Sequence, residues 1–289
     1  MVTEVLEALA IKPNGIYVDG TIGGGGHAGE IVSRLGKGLL IGLDCDPEAL
    51  TIARIQLKSF EDRVRLIHAN FSRLAAVLDE LGVAHVDGIL LDLGVSLTQL
   101  DTAQRGLSFR LEGPLDMRLD PTQELTAADL VNSLNERELI KIFRDYGEER
   151  WAVRIARNIV RERRFTPIET TLDLVQIIER SIPAAMRRNS RIHPATRVFQ
   201  ALRIAVNHEL ENLRKALETG CARLAPDGRF VVLSYHSLED RIAKRYFRAL
   251  VEGDEVHMWG PIRPSPEECA RNPRARSAKL RVIRKLGAP

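Results

Sequence analysis

The run Val18-Asp-Gly-Thr-Ile-Gly-Gly-Gly-Gly-His27 places one acid, five glycines and a histidine within ten residues. Glycines allow positive φ and close approach of the backbone to a ligand, and the N–H groups of such a turn form a polar concavity. Asp44 ends the next apolar run, where a carboxylate accepts hydrogen bonds from ribose hydroxyls. Asn70-Phe71 ends the third run and offers an aromatic face to an adenine ring, and Asp92 ends the fourth. A nucleoside-containing ligand fits this set. Gly24-Gly25-Gly26-His27-Ala28-Gly29 also satisfies G-x-G-x-x-G with Asp44 at a dinucleotide-like distance, so a nicotinamide dehydrogenase is the rival reading. Asp19 disfavours it, because an acid beside the glycines repels a pyrophosphate and suits an ammonium group. Asp19, Phe71 and Asp92 together favour S-adenosylmethionine.

These residues need a sheet to bring them together. The first ninety-odd residues alternate apolar runs with helical patterns, the signature of a parallel sheet with crossover helices. The strands are expected at 16–18, 39–43, 64–69 and 86–91, and Asp46-Pro47-Glu48 announces the helix after the second. From about Leu107 buried-strand runs cease until 229–234, which follows a Pro226-Asp227-Gly228 turn. Between them lie long helical patterns at 136–164 and 194–218. In the second, Phe199, Leu202, Val206, Leu210, Leu213 and Leu217 trace one apolar stripe. The expected fold is therefore α/β, a doubly wound, mostly parallel Rossmann-like sheet of the class I methyltransferase type, with an inserted all-helical domain. Residues 1–106 and 204–289 form the discontinuous sheet domain, and 107–203 the insertion. The Pro- and Arg-rich tail after Gly253 reads as irregular.

At 289 residues, 44% hydrophobic and 28% charged, the chain has the composition of a folded globular protein. It shows no signal peptide and no apolar run of bilayer length, so a cytoplasmic location without membrane attachment is expected. Cys45, Cys221 and Cys269 are widely spaced, which points to reduced thiols and to neither disulfides nor a zinc site. The net charge of +3 conceals two basic clusters, 187–203 and 263–285. Such clusters suit phosphate backbones, although solvated basic faces have the same composition. Arg187, Arg188 and Arg191 are the candidate RNA contacts.

The segments DGTIGGGGHAGEI, GPLDMRLD, HPATRVFQALRIAVNHEL, SYHSLEDR and NPRARSAKLRV, in this order along nearly the whole chain, resemble the bacterial 16S ribosomal RNA cytosine-N4 methyltransferase family, RsmH/MraW. The resemblance implies methylation of the exocyclic N4 of a cytidine in the decoding region of 16S rRNA, carried in a small-subunit particle, with S-adenosylmethionine as donor and no metal. It implies cofactor contacts at Gly25, Gly26, His27, Asp44, Phe71, Asp92 and Gln99. His27 and Gln99 rest chiefly on the resemblance. Departures are small: Leu107 and Leu119 stand where Phe and Met are common, and Tyr235 replaces Phe before His236.

Cytosine N4 is a weak nucleophile because its lone pair is delocalised into the ring, so an acceptor for its protons would assist transfer. Asp92 is the first candidate, followed by Asp116 and by His236 with its neighbours Glu239 and Asp240. Asp240-Arg241 at a helix start also reads as a simple ion pair and cap. The (Asp/Asn/Ser)-Pro-Pro-aromatic motif of DNA amino-methyltransferases is absent after the fourth strand, where the chain reads Asp92-Leu-Gly-Val-Ser96. A non-catalytic RNA-binding protein is the third class compatible with the basic clusters.

Overall fold

The computed structural model describes residues 1–188 and 192–287. In chain order the elements are α1 Val2–Leu9, β1 Ile16–Asp19, α2 Gly26–Ser33, β2 Leu39–Asp44, α3 Pro47–Gln56, β3 Val64–His68, α4 Leu74–Glu80 and β4 Val86–Asp92. A helical series follows: α5 Leu97–Asp101, α6 Ala127–Ser133, α7 Glu136–Asp145, α8 Ala152–Glu162, α9 Thr171–Ser181, α10 Ala184–Arg188 and α11 Ala195–Asn207. The chain ends in α12 Glu209–Ala222, β5 Leu224–Ser234, α13 Ser237–Glu252, β6 Val256–Ile262, α14 Pro266–Arg271 and β7 Lys279–Lys285. The chain divides into two compact units, Met1–Gly94 with Leu210–Pro289, and Val95–Glu209.

The first unit holds one sheet in the order β3-β2-β1-β4-β5-β7-β6. β3 to β5 run parallel, while β7 is antiparallel to both β5 and β6. Strands covered on both faces read as continuous apolar runs, and alternate residues here enter two different cores. Val18, Ile41, Leu43, Ile89 and Leu91 pack with α4, α12 and α13. Tyr17, Leu40, Leu90 and Val231 face the opposite side with α1, α2 and α3. Asp46 caps α3 as expected, its side chain accepting from the Glu48 amide with Pro47 in the first turn. Sheet order reverses at β1, whose neighbours are β2 and β4, and the crevice outside such a reversal is where this architecture takes its ligands.

Four expectations change. The stripe from Phe199 to Leu217 is not one helix. His208, at φ 50°, ends α11 in the left-handed conformation, and α12 begins at the next residue. Leu202 and Val206 belong to the helical core, whereas Leu213 and Leu217 belong to the sheet core. The 136–164 pattern likewise breaks, at Tyr146–Trp151 with Glu148 at φ 48°. Gly147 is required in this bend, because a Cβ there would lie 2.6 Å from the Arg197 carbonyl oxygen. The units meet at 94/95 and 209/210 rather than at 106/107 and 203/204. Val95 and Leu100 pack on the helical core, which draws the segment before Leu107 into the second unit.

The tail is not irregular, since it supplies β6, α14 and β7. Interleaved charges hid the strand: Leu280, Val282 and Ile283 are fully buried, and Arg281 between them is only 5% exposed. Arg281 Nε donates to Asp240 Oδ1 at 2.7 Å, and Lys279 Nζ donates to Oδ2 at 2.8 Å. The basic tail thus spends two of its charges on tying β7 to α13. Burial pushes the Asp240 carboxyl up, but the hydrogen bonds from Arg281 and Lys279 outweigh this and hold it below the ordinary range.

Replacing Asp240 by Ala would leave the Arg281 guanidinium buried and unpaired, at a cost on the order of 3–5 kcal/mol, toward the lower end because Lys279 remains partly hydrated. Urea denaturation at neutral pH should show that loss. Because the folded-state pKa is depressed, the Asp240 contribution is present above the unfolded-state value and disappears as pH falls through the folded one, so the difference between wild type and Asp240→Ala should shrink in acid. A variant as stable as wild type at neutral pH would show that the pair does not anchor β7.

Candidate active site

Four parallel strands deliver polar groups at their carboxyl ends. β1 ends in Asp19, β2 in Asp44 and β4 in Asp92, while Tyr235 follows β5. The glycine turn lies between β1 and α2. Gly23 and Gly25 hold φ of 52° and 92°, in the region that suits glycine, and Gly25 is the residue before α2. A Cβ on Gly26 would meet nothing within 4 Å, so the first turn of the helix opens onto free space.

Asp44 supports the turn. Its Oδ2 accepts from the Gly23 amide at 2.8 Å and its Oδ1 from the Asp46 amide at 2.9 Å. A carboxylate has about four lone-pair sites, so capacity remains for ligand hydroxyls. Burial raises the Asp44 pKa against the pull of these amides. Asp19 is only 1% exposed and accepts from the Thr21 amide at 3.1 Å. Burial pushes its pKa up to about 7 against that amide, and the charges of Asp92 and Asp44 add to the rise.

Asp92 is the centre of a small polar network. Its Oδ1 accepts from the Tyr235 hydroxyl at 2.8 Å, its Oδ2 lies 3.5 Å from His27 Nδ1, and its amide donates to Thr21 Oγ1 at 2.7 Å. Burial raises the Asp92 pKa, with His27 and the Tyr235 hydroxyl opposing. Burial lowers the His27 pKa, with Asp92 opposing, and raises that of Tyr235, with Asp92 adding. His27 Nε2 is buried with no hydrogen-bond partner among the described residues, an arrangement that a ligand would relieve. No lysine or arginine is hydrogen-bonded or ion-paired to Asp19, Asp44 or Asp92 among the described residues. Three carboxyl groups converging without a paired lysine or arginine fit a positively charged ligand, and the open glycine turn and the orphaned His27 nitrogen agree with that fit.

The structure therefore gathers Gly25, Gly26, His27, Asp44 and Asp92 into one unit. Phe71 joins them: it follows β3 through the Asn70 cap, and its Cβ would come within 3.2 Å of a Cβ on Gly20, next to Asp19. Gln99, Asp116, Arg187 and Arg188 lie in the helical unit. Gln99 Oε1 accepts from the Ser96 amide in the capping box of α5. Both Asp116 oxygens are held by its neighbour Arg118, at 2.8 and 2.7 Å, an arrangement that orders the loop. Arg187 Nη1 is 3.8 Å from Glu179, Arg188 is exposed, and Arg191 lies outside the described residues.

His236 caps α13. Its Nδ1 accepts from the Glu239 amide at 3.5 Å and its Nε2 lies 3.1 Å from the Glu239 carboxylate, which in turn accepts from the amides of Tyr235 and His236. The cap of α13 is thus His236 rather than Asp240-Arg241, and the ion partners of Asp240 are Arg281 and Lys279 of β7 rather than Arg241. Tyr235 was legible only as a departure from the family pattern. Its position after β5, one strand beyond Asp92, was the available signal.

The strand order, with an antiparallel β7 between β5 and β6, is that of the class I methyltransferase fold. The chain belongs to the MraW methylase family, whose model matches residues 1–286. The ribosomal RNA small subunit methyltransferase H of Pelobacter propionicus is 53% identical to it over 305 residues, covering 99% of this chain and 97% of that protein. The proteins of the same name from Geobacter sulfurreducens and Heliobacterium mobile are 52% and 48% identical, each again covering 99% of this chain and 97% of the relative. A nicotinamide dehydrogenase is excluded by this membership.

Asp19 gives a pH-dependent test of the site in the ligand-free protein. The folded carboxyl keeps its proton to about 7, whereas the unfolded chain releases it near ~3.9. Stability from this group is thus fully present below the unfolded value and is lost as pH rises through the folded one. Asp19→Asn retains an acceptor for the Thr21 amide and never ionises. It should match wild type near pH 4 and exceed it at pH 8 by on the order of 1–3 kcal/mol. Urea denaturation at both pH values checks this, and parallel profiles would show that Asp19 is not a strained buried acid.

Proposed function

We propose that this methylase transfers a methyl group from S-adenosylmethionine to the exocyclic N4 of a cytidine in the decoding region of 16S ribosomal RNA, acting in the cytoplasm on a small-subunit particle. The observation that carries the reading is the convergence of Asp19, Asp44 and Asp92 on a glycine turn without a paired lysine or arginine among the described residues. The donor bears both a sulfonium and an ammonium group, and when bound it supplies an electrophilic methyl. The names of the relatives support small-subunit ribosomal RNA as substrate. The cytidine and its N4 are supported by the family resemblance of GPLDMR, HPATR and HSLEDR.

In this reading Gly25 and Gly26 admit the donor to the turn, Asp44 accepts from its ribose hydroxyls, Phe71 covers its adenine, and Asp19 faces its ammonium. His27 offers its free ring nitrogen, and Gln99 is retained on the resemblance alone. Asp92 takes the hydrogens of N4. The new N–C bond forms as the S–C bond breaks, and the proton lost from N4 passes to an Asp92 oxygen and then to water. A carboxylate raised by burial suits proton acceptance better than an ordinary one. Asp92 is preferred over Asp116, both of whose oxygens are held by the Arg118 guanidinium, and over His236, whose Nδ1 caps α13 and whose Nε2 faces the Glu239 carboxylate. The target base must leave its stack to be reached, which requires single-stranded or locally opened RNA. Arg187, Arg188 and Arg191 are assigned to its backbone phosphates.

Two substitutions separate holding the donor from using it. Asp44→Ala should stay folded and weaken S-adenosylmethionine binding by about 1.5–3 kcal/mol in calorimetric titration. Unchanged affinity would remove Asp44 from the donor site. Asp92→Asn keeps shape and one acceptor oxygen but cannot take a proton, so single-turnover methylation at saturating donor and RNA should slow by roughly 10²-fold or more, with a smaller change in donor affinity. A wild-type rate there would exclude Asp92 as the proton acceptor.

A further inference from the structure

α8 carries a basic face that the functional site does not use. Arg154, Arg157 and Arg161 are exposed at intervals of three and four residues, and Arg164 continues the interval into the turn after the helix. Residues so spaced share one side of a helix, and at 1.5 Å per residue the row extends about 15 Å. The opposite side, Ile155, Ala156 and Ile159, is fully buried in the helical core, so the row is fixed outward. Arg154 and Arg164 have no carboxylate partner among the described residues. Arg157 lies 3.6 Å from Glu136, and Arg161 is 2.9 Å from its neighbour Glu162, both pairs partly solvated.

Each end of the row carries an aromatic ring. Trp151, before the helix, has the guanidinium of Arg154 5.5 Å from its ring centroid. Phe165, beyond Arg164, is 83% exposed. The turn presenting it is well ordered by hydrogen bonds: the Arg164 amide donates to the Arg161 carbonyl, the Phe165 and Thr166 amides to the Glu162 carbonyl, and Arg163 Nη1 to the Val131 carbonyl at 2.6 Å. A phenylalanine held in water by a hydrogen-bonded turn beside Arg164, which has no carboxylate partner among the described residues, is poorly explained by the packing of this unit. A row of positive charge flanked by aromatic faces complements a chain of phosphates carrying unstacked bases.

We propose that the α8 row is an RNA-docking surface, in which Arg154, Arg157, Arg161 and Arg164 track backbone phosphates and Phe165 stacks on an unpaired base. The proposal rests on the RNA reading above and adds to it a second surface, separate in sequence from Arg187, Arg188 and Arg191. It also accounts for an exposed aromatic directly after Arg164, whereas the basic residues Lys279 and Arg281 are held by Asp240.

The test uses the full chain and a transcript of small-subunit ribosomal RNA, with affinity measured across a range of salt concentrations. Each phosphate contact to a single strand contributes about 0.7 to the slope of log affinity against log salt. Combined replacement of Arg154, Arg161 and Arg164 by Gln should flatten the slope by about 2, whereas the corresponding Lys replacements should largely preserve it. Phe165→Ala should weaken binding by about 5- to 150-fold and leave the slope unchanged. None of these exposed changes should alter S-adenosylmethionine affinity. If wild type binds and methylates the transcript but the Gln variant retains the wild-type slope and Phe165→Ala the wild-type affinity, the α8 surface is refuted and the RNA reading stands. If wild type does not bind RNA at all, both fall together.

Discussion

The sheet unit is organised around a liability, the burial of carboxyl groups where parallel strands end. Asp19 is almost wholly enclosed, and Asp44 and Asp92 are raised by burial as well. Charges removed from water are costly unless paired, and no lysine or arginine among the described residues pairs them. The unit tolerates the arrangement because backbone amides, the Tyr235 hydroxyl and the His27 ring supply partial compensation. A doubly wound sheet can hold such groups because both of its faces are packed, so the strand ends are the places where polar side chains can stand beside one another.

The rest of the architecture follows from keeping those strand ends in place. The pairing of β1 with β2 and β4 aligns Asp19 with Gly42 and Leu90, so that the acids end neighbouring strands in near register. On the far side of β5, the edge is completed by β6 and β7, and β7 is fastened by the Asp240 pair. The same Arg-rich composition therefore serves two physical ends. In β7 it satisfies a buried acid, whereas on α8 it remains solvated and outward facing.

The sheet and the polar residues at its strand ends were legible because apolar runs, glycines and terminal acids each carry a strong local signal. Asp44, Phe71 and Asp92 stand at or just after strand ends that the apolar runs had already marked. The break between α11 and α12 was not legible, since His208 lies within an uninterrupted apolar stripe and only its left-handed backbone ends the helix. β7 was hidden for the opposite reason. Its apolar residues alternate with arginines and lysines, and the burial of Arg281 depends on Asp240, about forty residues earlier. Tyr235 escaped attention because its hydroxyl gains meaning only when β5 is placed beside β4. For β7 and Tyr235 the missing information was a long-range pairing, not a local preference.

The central claim is that the carboxylate-lined end of this sheet methylates a ribosomal cytidine at N4. Nucleoside mass spectrometry of small-subunit ribosomal RNA, from cells lacking the gene and from the same cells complemented with it, addresses this most directly. The account predicts that an N4-methylated cytidine disappears with the gene, returns with the wild-type chain and fails to return with Asp92→Asn. An unchanged nucleoside profile on loss of the gene, or a lost methyl group on another base or atom, would contradict it.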